Sequence, residues 1–187
     1  MQQIQEATKQ LITISETEME NFFRDCKIKT FKKKEVLSKA NEVATEIFFI
    51  NKGIVRIKIV DNKGTEHTIH FALENQFIAS YSSFLEESKS IYTLEALEET
   101  EVVIIPKSAI DWAYAHLQEG QKMGRLIAES LFILQDNRIR NSYCRTPKES
   151  YDRITEIFPN IHNRVPQHMI ASYLGITSIH LSRLKKT

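Results

Sequence analysis

The stretch from residue 35 to Pro106 consists of short runs rich in β-branched and aromatic residues, which are separated by turn-forming residues. Gly53 and the Asp-Asn-Lys-Gly segment at 61–64 tolerate the positive φ angles that tight hairpins require. Runs of this length and composition predict strands, which we place at residues 35–40, 46–51, 54–60, 66–72, 91–96 and 101–105. Such a series of strands and hairpin turns predicts an antiparallel roll or barrel.

The residues on either side of these strands have helical spacing. Apolar residues before residue 24 recur loosely at this spacing and predict short helices that cap the barrel. Pro106 ends the last strand, and residues 107–142 then predict one long helix. Pro147 and Pro159 bound a further amphipathic helix at residues 148–158.

The long helix carries an apolar stripe near heptad spacing, at Met123, Ile127, Leu131 and Leu134. One interpretation packs this stripe against the barrel of the same chain, and the other pairs it with the same helix of a second copy. Because one small barrel cannot cover so long a helix, the sequence favours a homodimer with these four residues in the seam.

The predicted fold class is α+β, in three parts: a β-roll sensor domain at residues 1–115, a dimerisation helix at 116–142 and a helical domain at 143–187. The 187-residue chain is 42% hydrophobic and 26% charged, as expected for a globular protein with a sizeable core. It contains no run of about 18 apolar residues, and its start lacks the pattern of a signal peptide. We therefore expect a cytoplasmic protein with no membrane partner.

Charge is distributed unevenly along the chain, although the net charge is only +1. Residues 138–187 hold nine Lys and Arg against three Asp and Glu, and the rest of the chain holds sixteen against twenty-one. A basic segment can face phosphates, but a charge excess is more often a solvated surface. The charge alone therefore does not predict nucleic-acid binding, and a motif is needed beside it.

Residues 167–184, QHMIASYLGITSIHLSRL, contain such a motif, because they have the residue types of a helix-turn-helix. Ala171 is small enough for close helix approach, Gly175 provides the turn, and Thr177 is a good N-cap for the second helix. A plain helical hairpin needs apolar spacing but not this combination with a basic second helix. The sequence therefore predicts binding to double-stranded DNA. The apolar packing positions are Ile170, Leu174, Ile176, Leu181 and Leu184.

The predicted DNA-contacting residues lie at the start and along one side of the second helix. Arg183 can donate to guanine or phosphate, and Ile179 can touch a thymine methyl group. Ser178 and His180 can bind a phosphate or a base edge, and the two lysines after the helix add attraction that is independent of sequence. The full set is Thr177, Ser178, Ile179, His180, Ser182, Arg183, Lys185 and Lys186.

Together, the roll, the long helix and the terminal motif resemble the cyclic-AMP receptor protein (Crp/Fnr) family of bacterial transcription regulators. The resemblance implies a jelly roll of the cyclic-nucleotide-binding type and a dimer on a two-fold DNA operator, with RNA polymerase as a further candidate partner. The residues after the turn, Thr177 to His180, differ from the family's commonest pattern, so we expect a different operator. The family often has a β-hairpin wing after this helix. The sequence stops at Thr187, so we expect fewer phosphate contacts.

The segment between Phe77 and Ala96 differs from the family where the effector binds. Members that bind cyclic AMP have a Gly-Glu pair and, further along, Arg followed by a small hydroxyl residue; here these positions hold Ala79-Ser80 and Ser90-Ile91. The cation that pairs with the cyclic phosphate is missing. We therefore expect that cyclic AMP is not the effector, and that the pocket takes a different or uncharged ligand or is filled by its own side chains. The predicted pocket residues are Phe77, Ala79, Ser80, Tyr81, Ser90 and Ile91.

Other classes of function have less support. Cys26 and Cys144 have no CxxC partner, so neither a metal nor a cofactor is predicted. No carboxylate pair, Ser/His/Asp set or phosphate-binding glycine loop has usable spacing, so the chain is not predicted to be an enzyme. The alternative is a ligand-binding regulatory module that acts through a protein partner, with the terminal helices as a docking hairpin. A gel shift with DNA separates these two functions.

Overall fold

A computed structural model describes residues 1–185, so Lys186, one of the predicted DNA-contacting residues, lies outside the described part of the chain. The chain begins with helices α1 (Gln2–Leu11) and α2 (Glu16–Phe23), and a capping box starts α2, because Ser15 Oγ accepts a hydrogen bond from Glu18 N. The roll follows. Its elements are β1 (Lys27–Phe31), β2 (Val36–Ser38), β3 (Glu46–Lys52), β4 (Val55–Val60), β5 (Glu66–Ala72), β6 (Phe77–Ile78), α3 (Tyr81–Glu86), β7 (Thr93–Ala96) and β8 (Thr100–Pro106).

These strands form two antiparallel four-stranded sheets, in the orders β1-β8-β3-β6 and β2-β7-β4-β5. The predicted α+β class with an N-terminal jelly roll is confirmed. Sequence reasoning missed β1 and β6. The first four residues of β1 are exposed, so it lacks an apolar alternation, and β6 has only two residues. In the turn after β3, the φ angle of Gly53 is +103°, and an added Cβ would lie 2.7 Å from Thr100 Cα. Only glycine fits there.

The single helix predicted at 107–142 is a pair of helices, α4 (Lys107–His116) and α5 (Gly120–Cys144), with a break at residues 117–119. The prediction was wrong here because helical spacing of apolar residues continues through the break. Gly120 allows the two helices to meet closely, since an added Cβ would lie 2.0 Å from the carbonyl oxygen of Ala113. Within residues 1–185, no helix combines the length and the apolar character needed to cross a membrane.

The C-terminal helices are α6 (Pro147–Asp152), α7 (Ile154–Ile157), α8 (Ile161–Arg164), α9 (Gln167–Tyr173) and α10 (Ser178–Leu184). The helix predicted at 148–158 is therefore two short helices, which meet at Arg153. Thr146 starts α6 with a capping box, because its Oγ1 accepts from Glu149 N and its own N–H donates to the Glu149 carboxylate at 2.8 Å. The short helix α8 was missed because one turn has no detectable period.

Three clusters of buried side chains form the core. The first lies between the N-terminal helices, the sheet that contains β3 and β8, and α4. The second fills the space between the two sheets. The third joins the roll to the C-terminal helices, and it includes Ile54, Phe71, Leu73 and Leu97 from the roll with Ile154, Phe158, Ile161, Val165, Ile170, Ala171 and Leu181 from the helices. The C-terminal helices thus pack on the roll of their own chain. The domain division at residues 115 and 142 stays a prediction.

Candidate DNA-binding surface and effector cavity

Helices α9 and α10 form a helix-turn-helix whose turn uses the predicted residues. Gly175 has a φ angle of +71°, a conformation that side chains rarely adopt. Thr177 is the N-cap of α10, and its Oγ1 accepts a hydrogen bond from His180 N at 3.1 Å. Ile170 and Leu181 are both fully buried and hold the two helices together. The local sequence therefore fixes both the turn and the start of α10.

The side chains predicted to contact DNA are all exposed within the described part of α10 and its flanks. Leu181 anchors one side of the helix, and the opposite side faces solvent. Ile179 is 69% exposed and is therefore available for an apolar contact. The exposed residues are Thr177, Ser178, Ile179, His180, Ser182, Arg183 and Lys185.

A bulge in β5 links the helix-turn-helix to the roll. The register between β4 and β5 shifts at Ile69, which leaves main-chain groups available to other elements. Thr68 N donates to Ser172 Oγ of α9 at 2.8 Å, and the guanidinium of Arg138 on α5 donates to the carbonyl oxygen of Ile69. The bulge therefore links the roll to both the long helix and the helix-turn-helix.

Arg164 on α8 forms a second link by binding two carboxylates of the roll. Its Nη1 and Nη2 donate to Glu74 at 3.1 and 2.6 Å, and Nη2 also donates to Glu98. Burial alone would raise the pKa of Glu74, but hydrogen bonds from Arg164 and from the main chain, including Gly53 N at 2.9 Å, lower it to about 2. Glu74 therefore stays charged at neutral pH and holds α8 to the roll.

A cavity of about 500 Å³ lies between the roll, the N-terminal helices and α5. This volume lies within the usual range of small-molecule sites. Most of its walls are apolar, and no Lys or Arg among residues 1–185 lines it. The N-terminal helices supply one wall, a contribution that sequence reasoning missed because it assigned them only a capping role. Their lining residues are Ile4, Thr8, Leu11, Phe22 and Phe23.

The six predicted pocket residues divide into two groups. Phe77, Ala79 and Tyr81 line the cavity. Ser80 and Ser90 are buried beside it and bind each other, with 2.7 Å between their Oγ atoms. The Ser90 hydroxyl also lies 2.9 Å from the main-chain N and O atoms of Tyr92. Both hydroxyls therefore have hydrogen-bond partners within the protein.

The sixth predicted pocket residue, Ile91, is 59% exposed. Its side chain does not line the cavity. Ile91 and the two serines are thus not among the residues that line the cavity, and the assignment of all six to an effector pocket stays a prediction.

The four residues predicted for the dimer seam line this same cavity, so they face the roll of their own chain. Met123 is only 3% exposed, and Ile127, Leu131 and Leu134 are half-buried. Within the single chain this stripe therefore covers the roll, as in the alternative interpretation, and its place in a dimer seam stays a prediction. Four further apolar side chains of α5 are exposed, namely Phe132, Ile133, Ile139 and Tyr143, and of these only Phe132 also lines the cavity within residues 1–185.

Comparison with known proteins agrees with this architecture. The family model of the cyclic nucleotide-binding domain matches residues 28–116, which cover the roll and α4. No curated protein gives a significant sequence match.

Solved structures of bacterial regulators have similar folds. FixK2 from Bradyrhizobium japonicum is 18% identical, with a TM-score of 0.68 over 86% of this chain and 83% of that one. A protein described as a transcriptional regulator of the Crp/Fnr family from Eubacterium rectale is 16% identical, with a TM-score of 0.70 over 92% and 82%. The catabolite activator protein of Thermus thermophilus is 14% identical, with a TM-score of 0.56 over 92% and 83%. Residues 28–116 therefore match the family of cyclic nucleotide-binding domains, and the chain as a whole has a fold that is also found in Crp/Fnr transcription regulators.

Proposed function

We propose that this protein is a DNA-binding transcription regulator that binds a two-fold operator as a homodimer and has no enzymatic activity. The observation that carries the proposal is the geometry of α10. Its N-cap is satisfied by Thr177, its apolar side is anchored by Leu181, and its polar and basic side is exposed. A helix held in this way can enter the major groove with its first turn toward the base edges.

The exposed side of α10 has the chemistry for both phosphate and base contacts. Arg183 supplies a planar guanidinium that can bind guanine bidentately, and Ile179 supplies an apolar contact for a thymine methyl group. Lys185 adds electrostatic attraction that depends on salt but not on sequence. These roles fit a regulator better than a docking hairpin, which has no need of a fixed cationic fork.

Replacing Arg183 with alanine tests this assignment. We expect the variant to bind operator DNA, selected from a random pool, about 1 to 3 kcal/mol more weakly than the original protein, because a bidentate base contact is lost. A gel-shift titration measures the change. Arg24→Ala, which removes an exposed arginine on the N-terminal side of the roll, is the matched control and should leave DNA affinity unchanged. An unchanged affinity of Arg183→Ala would remove this residue from the interface.

The homodimer is supported by the exposed apolar side chains of α5. Ile139 lies seven residues after Phe132, and Tyr143 lies four residues after Ile139. The three side chains therefore lie along one side of the helix. Large apolar side chains that are exposed together along one side of a helix are typical of an interaction surface. A second copy of the chain is the occupant we propose, because a two-fold contact between identical helices would also place two recognition helices on one duplex.

The dimer is tested by Ile139→Glu, since Ile139 is 59% exposed and does not line the cavity. We expect a charge in the seam to weaken dimerisation at least about tenfold, because the carboxylate loses its hydration without gaining a partner. Sedimentation velocity over a range of concentrations measures the shift. Leu85→Glu makes the same kind of change at an exposed leucine on α3 and should leave the dimer intact. A variant Ile139→Glu that sediments like the original protein would rule out this seam.

Cyclic AMP is not the effector in this proposal. A buried cyclic phosphate needs charge-assisted donors, and the cavity has no Lys or Arg among its described lining residues. The Ser80 and Ser90 hydroxyls, which stand where family members have charged residues, bind each other. The apolar lining of the cavity supports an effector other than a cyclic nucleotide.

A further inference from the structure

A second recess adjoins the apolar cavity. It has a volume of about 250 Å³ and lies between α5, α6, α7 and the helix-turn-helix. His70, Leu134 and Gln135 line both spaces, so these three side chains border the cavity on one side and the recess on the other. We call the smaller space the arginine recess, because Arg138, Arg145 and Arg153 line it.

The lining of the arginine recess carries more positive than negative charge. Glu156 is its one acidic lining residue among residues 1–185, and its carboxylate lies 2.9 Å from Arg153 Nε. One carboxylate therefore faces three guanidinium groups. Guanidinium groups match the planar geometry of carboxylates and similar acid groups.

His70, which lines both spaces, is an uncharged histidine at neutral pH. Burial, and then the nearby charge of Arg138, lower the pKa of His70 to about 4. At neutral pH the imidazole is therefore uncharged and can form a hydrogen bond without adding a charge to the apolar cavity. His70 also follows Ile69, the residue of the β5 bulge that Arg138 binds.

We propose that the apolar cavity and the arginine recess together bind one small molecule that has an apolar body and a single acid group. The body lies against the apolar walls, and the acid group faces the arginines. This inference names the class of effector for the proposed regulator. The binding itself does not depend on the proposed function, but its consequence for regulation rests on that function. Its consequence is that the ligand touches α5, the bulge and α7 at once, and so changes how the helix-turn-helix sits on the roll.

The test is calorimetric titration of the full-length protein, without DNA, with two acids and their uncharged counterparts. The acids are dodecanoate and 1-naphthylacetate, and the counterparts are 1-dodecanol and 1-naphthaleneethanol. We expect at least one acid to bind with a Kd in the micromolar range, and its alcohol to bind at least about tenfold more weakly, because only the acid gains charge-assisted hydrogen bonds. Cyclic AMP, whose polar ribose and adenine would lie against apolar walls, should show no binding tighter than about 1 mM.

Two variants locate the site. Arg145→Gln is expected to reduce the affinity for the acid to that for the alcohol, because it removes one guanidinium group from the lining of the arginine recess. Ile127→Trp is expected to abolish binding of both by filling the cavity. Arg125→Gln, on the same helix but paired with Glu129 away from both spaces, is the control and should bind as the original protein does.

Equal affinity for acids and alcohols, no binding of either acid, or acid binding unaffected by Arg145→Gln would each overturn the proposal. None of these outcomes bears on DNA binding, which is measured separately by gel shift without ligand. If the protein bound the acid but did not bind operator DNA, the proposed regulator function would be contradicted instead.

Discussion

Replacing Phe158 with alanine is expected to lower the free energy of unfolding by about 3 to 5 kcal/mol. Phe158 is 1% exposed, and its ring lies 5.6 Å from the ring of Phe71 on β5 and 5.3 Å from that of Tyr173 on α9. It is also 5.5 Å from His70. The side chain therefore fills the centre of the cluster that joins the roll to the C-terminal helices, and its removal leaves a cavity between them.

Urea unfolding followed by circular dichroism measures this change, and scanning calorimetry adds a second readout. We expect the original protein to unfold in one transition and Phe158→Ala in two, because the roll and the C-terminal helices lose their shared core. Phe158→Leu retains most of the buried volume and is expected to lose less stability than Phe158→Ala. A loss below about 1 kcal/mol for Phe158→Ala would show that this cluster does not couple the two parts.

Replacing Arg164 with alanine is expected to cost about 2 kcal/mol at neutral pH. A pKa of Glu74 lowered from 4.5 to about 2 corresponds to an upper limit of about 3 kcal/mol, which partial solvent exposure of both side chains reduces. Arg140→Ala removes an exposed arginine that pairs with Asp136 at 3.2 Å, and this control should change stability by less than about 0.5 kcal/mol.

The contribution of Arg164 also depends on pH. Because folding lowers the pKa of Glu74, its stabilising effect is fully present above about pH 4.5 and is lost as the pH falls toward about 2. The difference in stability between the original protein and Arg164→Ala should therefore shrink over this range. A difference that stays constant from pH 6 to about 3 would show that the ion pair is not its cause.

The helix-turn-helix could be predicted from the sequence because its signals are local. Gly175 is needed for a positive φ angle and Thr177 for an N-cap, and neither role depends on distant parts of the chain. The roll was predictable for the same reason, since its hairpins have turn residues at the ends of short apolar runs. The break between α4 and α5 was not, because Gly120 matters only through its contact with Ala113.

The partner of an apolar stripe cannot be read from its spacing. Leu131 and its neighbours have the period of a helix seam whether they cover a second copy or their own roll, and the structure has them on the roll. The arginines of the recess and Arg164 were missed for a related reason. In the sequence these arginines are spaced like charged residues on a solvated surface. Only the folded chain brings Arg138, Arg145 and Arg153 together.

The most direct test of the central claim is the affinity of this protein for duplex DNA of different sequences at one salt concentration. Operators are first selected from a random pool, and fluorescence anisotropy then compares the selected duplex with a scrambled duplex of the same composition. We predict binding at least about 10³-fold tighter to the selected duplex, which should contain two half-sites about one helical turn apart. Equal affinity for the two duplexes would contradict the account, because only phosphate attraction from the basic C-terminal segment would then remain.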